Sequence, residues 1–328
     1  MIVSRRAFLA SAAVAATTFA LPDTRKLLAQ AGRAMLSRNA GVYRFQLGDF
    51  NLVSVSDGIL EVPAKVFAGN ATPEQLGEVL AQGFQSEMLK PDCNVLLVDT
   101  GPEKVLIDTG SGSLNGATAG KLIANLKQVD IAPDDITAVI LSHAHSDHVG
   151  GLGGQADALL FPNARYFIGQ TEWSFWTGNR IELPKFKGGD ELKQKMVDVA
   201  RSQLNLIRDR VTQFEPKGEI LPGFTALQAY GHTPGHVAIQ IASGDAKMVH
   251  TADTVHTHTI NLWNPSWQPI FDGDPDLAAA TRQRVLAKIA SDRTLMFAYH
   301  FPYPGIGHLR PRPEGGFEWE PVAWQFEA

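Results

Sequence analysis

The sequence predicts an α/β chain built from two mixed β-sheets packed face to face with helices outside. Three observations point there. Short β-rich runs come in clusters, long helical patterns appear only twice, and no sustained βαβ alternation links them. At 44% hydrophobic and 19% charged residues, the 328-residue chain has the apolar content of a folded protein with a full core.

The elements follow in chain order. Residues 43–47 and 51–56 are β-rich runs separated by a turn and read as paired strands. Residues 94–98 and 104–107 flank Thr100-Gly101-Pro102-Glu103, whose Gly-Pro pair signals a hairpin turn. Residues 117–128 predict a helix, with Leu122, Ile123, Leu126 and Val129 at helical spacing. Residues 136–141 are a continuous apolar run of strand length that ends in a polar, histidine-rich loop. A strand at 165–168 leads into a helical or loop segment at 170–176, and 190–208 is the longest helical pattern. Strands are expected at 224–230, 236–242 and 248–251, a second long helix at 274–291 with Pro275 in its first turn, and closing strands at 295–299 and 317–322.

The first residues read as an address. Arg5-Arg6 precede Phe8-Leu9 and an uncharged Ala-rich stretch, and Ala29-Gln30-Ala31 supplies a small-x-small cleavage site. This pattern is similar to a twin-arginine signal peptide over residues 1–31, which implies recognition of the precursor by the twin-arginine export machinery and a periplasmic or secreted product. Cleavage would remove Arg5, Arg6, Arg25 and Lys26 against Asp23, leaving the processed chain more acidic than the formal charge of −5 of the whole. That balance argues against a nucleic-acid partner. Residues 32–328 carry no Pro/Gly/Ser-rich linker and are expected to form a single domain.

One segment carries the chemistry. His143-Ala144-His145-Ser146-Asp147-His148 places three imidazoles and a carboxylate on one short loop after an apolar strand. Imidazole and carboxylate suit zinc and its first-row neighbours, and with Cys93 the only cysteine a thiolate cluster is excluded. Six residues cannot close two coordination shells, so further ligands must come from elsewhere. His232, Asp253 and His300 each stand just past an apolar run, at expected strand ends.

His-x-His-x-Asp-His, Gly231-His232-Thr233-Pro234-Gly235-His236, a later strand-end Asp and a final strand-end His resemble the metallo-β-lactamase superfamily from Gly41 to about Val322. Leu47-Gly48-Asp49-Phe50, Ser56-Asp57-Gly58, Phe161-Pro162-Asn163-Ala164 and the run from Phe301 to His308 are similar to its methyl parathion hydrolase branch. The resemblance implies a four-layer αββα sandwich. It implies one metal held by His143, His145 and His232, a second held by Asp147, His148 and His300, and Asp253 bridging them. Asp108, in Ile107-Asp108-Thr109-Gly110, is implied to orient a ligand without binding metal, although a carboxylate capping the turn would read the same. Two divalent ions are expected, zinc first, with Mn, Fe or Co as alternatives.

Such a pair acidifies a shared water into a nucleophile and needs no serine or cysteine. Asp147 is the expected proton shuttle to the leaving group. The site lacks the cysteine ligand of common zinc β-lactamases and the glutamate of di-iron oxygen reductases, and no basic inserted domain of nuclease type is visible. What remains is a small neutral substrate: a lactone such as an acyl-homoserine lactone, or an aryl ester, with phosphotriester cleavage as a side reaction. Phosphotriesterase as the main activity, a glyoxalase-like thioesterase and a non-catalytic exported metal-binding protein are the alternatives. Trp173, Trp176 and Trp263, with Phe175 and Trp267, are candidates for an apolar pocket wall or for core packing. His256 and His258 are candidates for substrate contact, and surface histidines would read the same. His236 and His308 are expected to be structural hydrogen-bonders, and His250 has no assigned role. The related hydrolases suggest a homodimer.

Overall fold

The structure, a computed structural model, describes residues 39–154 and 158–326; the leader expected over residues 1–31 lies outside them. The first half of the chain forms β1 (Val42–Leu47), β2 (Phe50–Ile59), the short pair β3 (Val62–Pro63) and β4 (Met88–Leu89), β5 (Asp92–Asp99), β6 (Lys104–Ile107), β7 (Ala138–Leu141), β8 (Arg165–Gly169) and β9 (Val211–Phe214). The second half forms β10 (Lys217–Leu221), β11 (Phe224–Gln228), β12 (Val237–Ser243), β13 (Ala246–His250), β14 (Leu295–Phe297), β15 (Ile306–Pro311) and β16 (Phe317–Pro321). Strands β1-β2-β5-β6-β7-β8-β9 make one seven-stranded sheet and β10 to β16, in sequence order, make the other. Both are mixed: β6, β7, β8 and β9 run parallel, as do β13 and β14, and the remaining neighbours in each sheet are antiparallel.

The continuous apolar runs reflect burial on both faces of a strand. In β5, Leu96 and Val98 point between the sheets, where they meet Ile239, Ile241 and Met248 of the second sheet; Val95 and Leu97 point outward under the helices. The pleat sends alternate side chains to opposite faces, so a strand covered on both sides loses its polar alternation. The helices are α1 (Pro73–Gln82), α2 (Leu122–Leu126), α3 (Ser146–Val149), α4 (Gln170–Thr177), α5 (Asp190–Leu206), α6 (Ile260–Trp263) and α7 (Pro275–Asp292). Val197, Ala200 and Leu204 of α5 cover the first sheet, and Val285, Leu286 and Ile289 of α7 cover the second. This is the αββα layering expected.

Differences from the sequence reading have local causes. The helix expected at 117–128 shrinks to α2, followed by a 3₁₀ turn at Lys127–Val129. The buried Asp57 carboxylate captures the N–H groups of Ser111 (2.7 Å), Gly120 (3.2 Å) and Leu122 (2.9 Å), and Gly120 sits at φ +73°. Those contacts pin the segment before Leu122 as a turn. Helix α1 was not anticipated, although Thr72 and Gln75 form a capping box with Pro73 at its first position. Strand β15 was missed as well. All four ligand-bearing segments open from strand ends: after β7, between β11 and β12, after β13 and after β14.

Candidate metal centre

Asp253 is the hub. Its Oδ2 lies 3.2 Å from His232 Nε2 and 3.7 Å from His143 Nε2, and its Oδ1 lies 3.1 Å from His148 Nε2 and 3.5 Å from His300 Nε2. His145 Nδ1 faces His232 Nε2 at 2.8 Å. Asp147 Oδ2 lies 3.3 Å from His300 Nε2 and 3.5 Å from His148 Nε2. The donors thus fall into two groups, His143, His145, His232 and Asp253 on one side and Asp147, His148, Asp253 and His300 on the other, each with its ligand atoms within 4.8 Å of one another. The structure brings together all seven residues anticipated as metal ligands.

Each of four histidines turns one nitrogen to the centre and tethers the other. His143 Nδ1 meets Ser142 Oγ at 3.0 Å, His148 Nδ1 meets Asp108 Oδ2 at 2.8 Å, His232 Nδ1 meets Asp272 Oδ1 at 2.9 Å and His300 Nδ1 meets the Asp92 carbonyl at 2.8 Å. Such tethers fix ring orientation and leave the inward nitrogen available as a donor to metal. The buried Nε2 atoms of His143 and His148 and Oδ1 of Asp253 have no hydrogen-bond partner among the described residues. Unpaired buried polar atoms are costly, so their convergence on one point fits cations.

The electrostatics agree. Burial, reinforced by the neighbouring imidazoles, pushes His143 and His145 well below the ordinary histidine range and keeps them neutral. Burial acts the same way on His148 and His232, but there the carboxylates outweigh it: Asp253, Asp147 and Asp108 raise His148 to about 10, and Asp253 and Asp272 raise His232 to about 9. The carboxylate field therefore calls for positive charge at both positions. The residues fit two divalent ions.

The scaffold around the ligands is polar and buried. Asp108 adopts φ +62° and accepts the N–H and O–H of Ser142, both at 2.7 Å, as well as the His148 bond. It thus stands directly behind His148, at the ring nitrogen opposite Nε2. Glu172, unanticipated, receives the Ala144 N–H (2.9 Å), Trp176 Nε1–H (2.6 Å), Thr233 O–H (2.7 Å) and Gly235 N–H (2.9 Å), tying the His145 loop to the His232 loop. His236 is structural as expected: it contacts the Ala229 carbonyl through Nδ1 (3.0 Å) and receives the Asp253 N–H at Nε2 (3.1 Å).

A cavity of about 490 Å³ opens onto the centre. Its walls include Leu60, Val62, Phe67, Leu192, Met196, Val199 and Phe271; His145, Asp147, His232, Asp253, His256 and His300 form its polar end. Of the residues anticipated for substrate contact, His256 lines it, with Nε2 3.4 Å from Asp253 Oδ2. The others lie elsewhere. Trp176 is fully buried beside His145 and serves Glu172, Trp173 packs on the core beneath the helices, Trp263 lies under the Arg312 guanidinium, and His258 packs near Phe301 and Trp319. Phe175 packs with the same core, and Trp267 with Phe67 under α1. The true wall uses aliphatic residues of α5 and the β3 segment, which carry no composition signal. His308 is exposed on β15, contrary to its expected structural role, and His250 is buried against Phe297.

Comparison with known proteins matches residues 90–300 to the metallo-beta-lactamase superfamily. AidC, described as a dizinc quorum-quenching lactonase, aligns with 30% identity and a TM-score of 0.82 over 87% of this chain and 98% of its own. The hydrolase AbOPH of the beta-lactamase superfamily aligns with 27% identity and a TM-score of 0.80 over 88% of this chain and 100% of its own. An N-acyl homoserine lactonase of Bacillus thuringiensis is 26% identical over 229 residues, covering 63% of this chain and 80% of the relative. With fold, donor set and family match in agreement, the chain belongs to the metallo-β-lactamase superfamily.

Proposed function

We propose that the protein is a binuclear zinc hydrolase that opens the ring ester of a neutral lactone bearing an apolar acyl chain, of the N-acyl homoserine lactone class, with phosphotriester cleavage as a side reaction. The observation that carries this reading is the mainly aliphatic and aromatic cavity that ends directly on the two donor groups. An acyl chain would lie along Val62, Phe67, Leu192 and Met196 while the ester reached the polar end. The likeness to AidC and to the Bacillus lactonase supports the same substrate class.

His143, His145, His232 and Asp253 would hold one ion, and Asp147, His148, His300 and Asp253 the other. When bound, such a pair supplies Lewis acidity for the ester carbonyl and an acidified water as nucleophile. The chain's own groups do the rest. Asp147 lines the cavity and is the acceptor that takes the proton released on attack and returns it to the leaving alkoxide. His256 lines the cavity with Nε2 3.4 Å from Asp253 Oδ2, and burial lowers it to about 4, so it meets the substrate as a neutral imidazole. It is placed to hydrogen-bond the ester or its leaving oxygen. Arg5-Arg6 and the Ala-rich run after them support export of the folded precursor to the periplasm.

The test compares kcat/KM for an acyl-homoserine lactone, an aryl ester and a methyl phosphotriester on one zinc-replete preparation. A lactone value well above the other two is expected. A phosphotriester value far above the lactone value overturns the ordering.

A further inference from the structure

Asp272 and Arg282 are both fully buried, and neither is a ligand. Asp272 Oδ1 faces His232 Nδ1 at 2.9 Å, while its Oδ2 receives Arg282 Nη2–H at 3.2 Å. Arg282, on α7, donates three more hydrogen bonds: Nε–H to the Thr254 carbonyl at 2.8 Å and Nη1–H to the carbonyls of Pro265 (2.9 Å) and Trp267 (2.8 Å). One cation thus holds the residue after the hub Asp253, the segment leading to the cavity residue Phe271, and the carboxylate behind His232. Backbone bonds from Gly273 N–H to the His232 carbonyl and from Asp274 N–H to the Gly231 carbonyl, each 2.9 Å, fasten the same segment to the histidine loop.

We propose that Asp272, locked by Arg282, is a positioning residue that fixes His232 with its proton on Nδ1, and so controls retention of the ion at the His143–His145–His232 position. The proposal rests on the binuclear reading above. Its logic is one of donors and acceptors. Arginine only donates, so the oxygen of Asp272 nearest Arg282 must accept. The other oxygen then accepts from His232 Nδ1–H, and Nε2 is left as a lone pair directed at the centre. A carboxylate suits both neighbours because both of its oxygens accept. An amide does not: with its oxygen drawn to Arg282, its NH₂ turns to His232 Nδ1, which must then accept, and the imidazole proton moves to Nε2. The ligand lone pair is lost although the shape of the side chain is retained.

The experiment measures zinc content of the full-length wild type and of Asp272→Asn, Asp272→Ala and Arg282→Lys after dialysis against graded chelator, with thermal melting recorded alongside. In wild type two ions are expected. In Asp272→Asn one of the two should be released at roughly 10- to 100-fold lower chelator strength, with the other held as in wild type. The loss should be at least as large as in Asp272→Ala, which leaves a gap but imposes no tautomer. Arg282→Lys, which keeps a cation beside Asp272, should fall between wild type and Asp272→Asn. A merely structural role predicts the reverse order, with the near-isosteric Asn milder than Ala and both ions weakened in step with the melting temperature; that result overturns the proposal. So does an Asn variant that holds both ions as wild type does. A wild type that binds fewer than two ions overturns the binuclear reading itself, and the proposal with it.

Discussion

Asp108 Oδ2 lies 2.8 Å from His148 Nδ1, and the same carboxylate holds both the N–H and the O–H of Ser142 at 2.7 Å. All three partners donate. Asn tolerates the left-handed backbone found at this position, so Asp108→Asn keeps the turn but sets an NH₂ against a donor. Zinc affinity at the Asp147–His148–His300 position should drop about 10- to 100-fold, with kcat falling in parallel. Chelator competition checks this, and unchanged zinc affinity would leave Asp108 a turn cap.

Stripping the metals should destabilise the whole fold. Ligand atoms from both sheets crowd at one point, and the ions bind only the folded arrangement. A ligand present at about 1,000 times its dissociation constant contributes about 4 kcal/mol, which for a chain of this size shifts the melting temperature by roughly 6 °C. Calorimetry with and without chelator measures it. Identical melts would mean that the centre is not linked to folding.

Glu172→Gln should cost about 2–3 kcal/mol, because four donors converge on the buried carboxylate and the amide replaces one accepting oxygen by a donor. Urea unfolding of the metal-loaded protein reads the cost. A loss below about 0.5 kcal/mol would show that the two loops it joins hold without it.

Acid should weaken the fold partly through His258. Burial lowers it to about 4 from the model-peptide value of 6.5. A histidine with a depressed folded value contributes stability that is complete above 6.5 and is lost as the pH falls toward 4, since the unfolded chain takes up the proton more readily. His258→Phe, which keeps an aromatic ring near Phe301 and Trp319, should remove about 3 kcal/mol of the pH dependence across that window. Melting curves between pH 4 and 7 at fixed zinc test it, and superimposable wild-type and variant profiles would be contrary.

Met196→Trp should fill the apolar arm of the cavity. If the acyl chain lies along Leu192 and Met196 as proposed, KM for a long-chain acyl lactone should rise about tenfold or more while a short-chain lactone is affected little. Equal effects on both chain lengths would place the acyl group elsewhere.

The ligands were legible because their chemistry is concentrated: three imidazoles and a carboxylate within six positions have few other uses, and His232, Asp253 and His300 each follow an apolar strand. The strands were legible for a related reason, since a strand buried on both faces writes a continuous apolar run. The supporting carboxylates were not. Nothing near Glu172 or Asp272 in the sequence marks them, because their partners lie far along the chain: Ala144, Thr233 and Gly235 for one, His232 and Arg282 for the other. The pocket misled for the opposite reason. Tryptophans attract attention as wall residues, yet Trp176 is core, and the wall is made of Leu, Val and Met that resemble any other packing.

The two sheets come from separate halves of the chain, with His143 to His148 on one and His232, Asp253 and His300 on the other. Each ion would therefore cross-link distant points: one position joins residue 145 to 232, the other joins 148 to 300, and Asp253 fastens both. In a chain whose one cysteine is buried and unpaired, no covalent bridge closes these long loops. The two ions would double as the staples of the sandwich, acting not on the unfolded chain as a disulfide does but by binding only where residues far apart in sequence have already met.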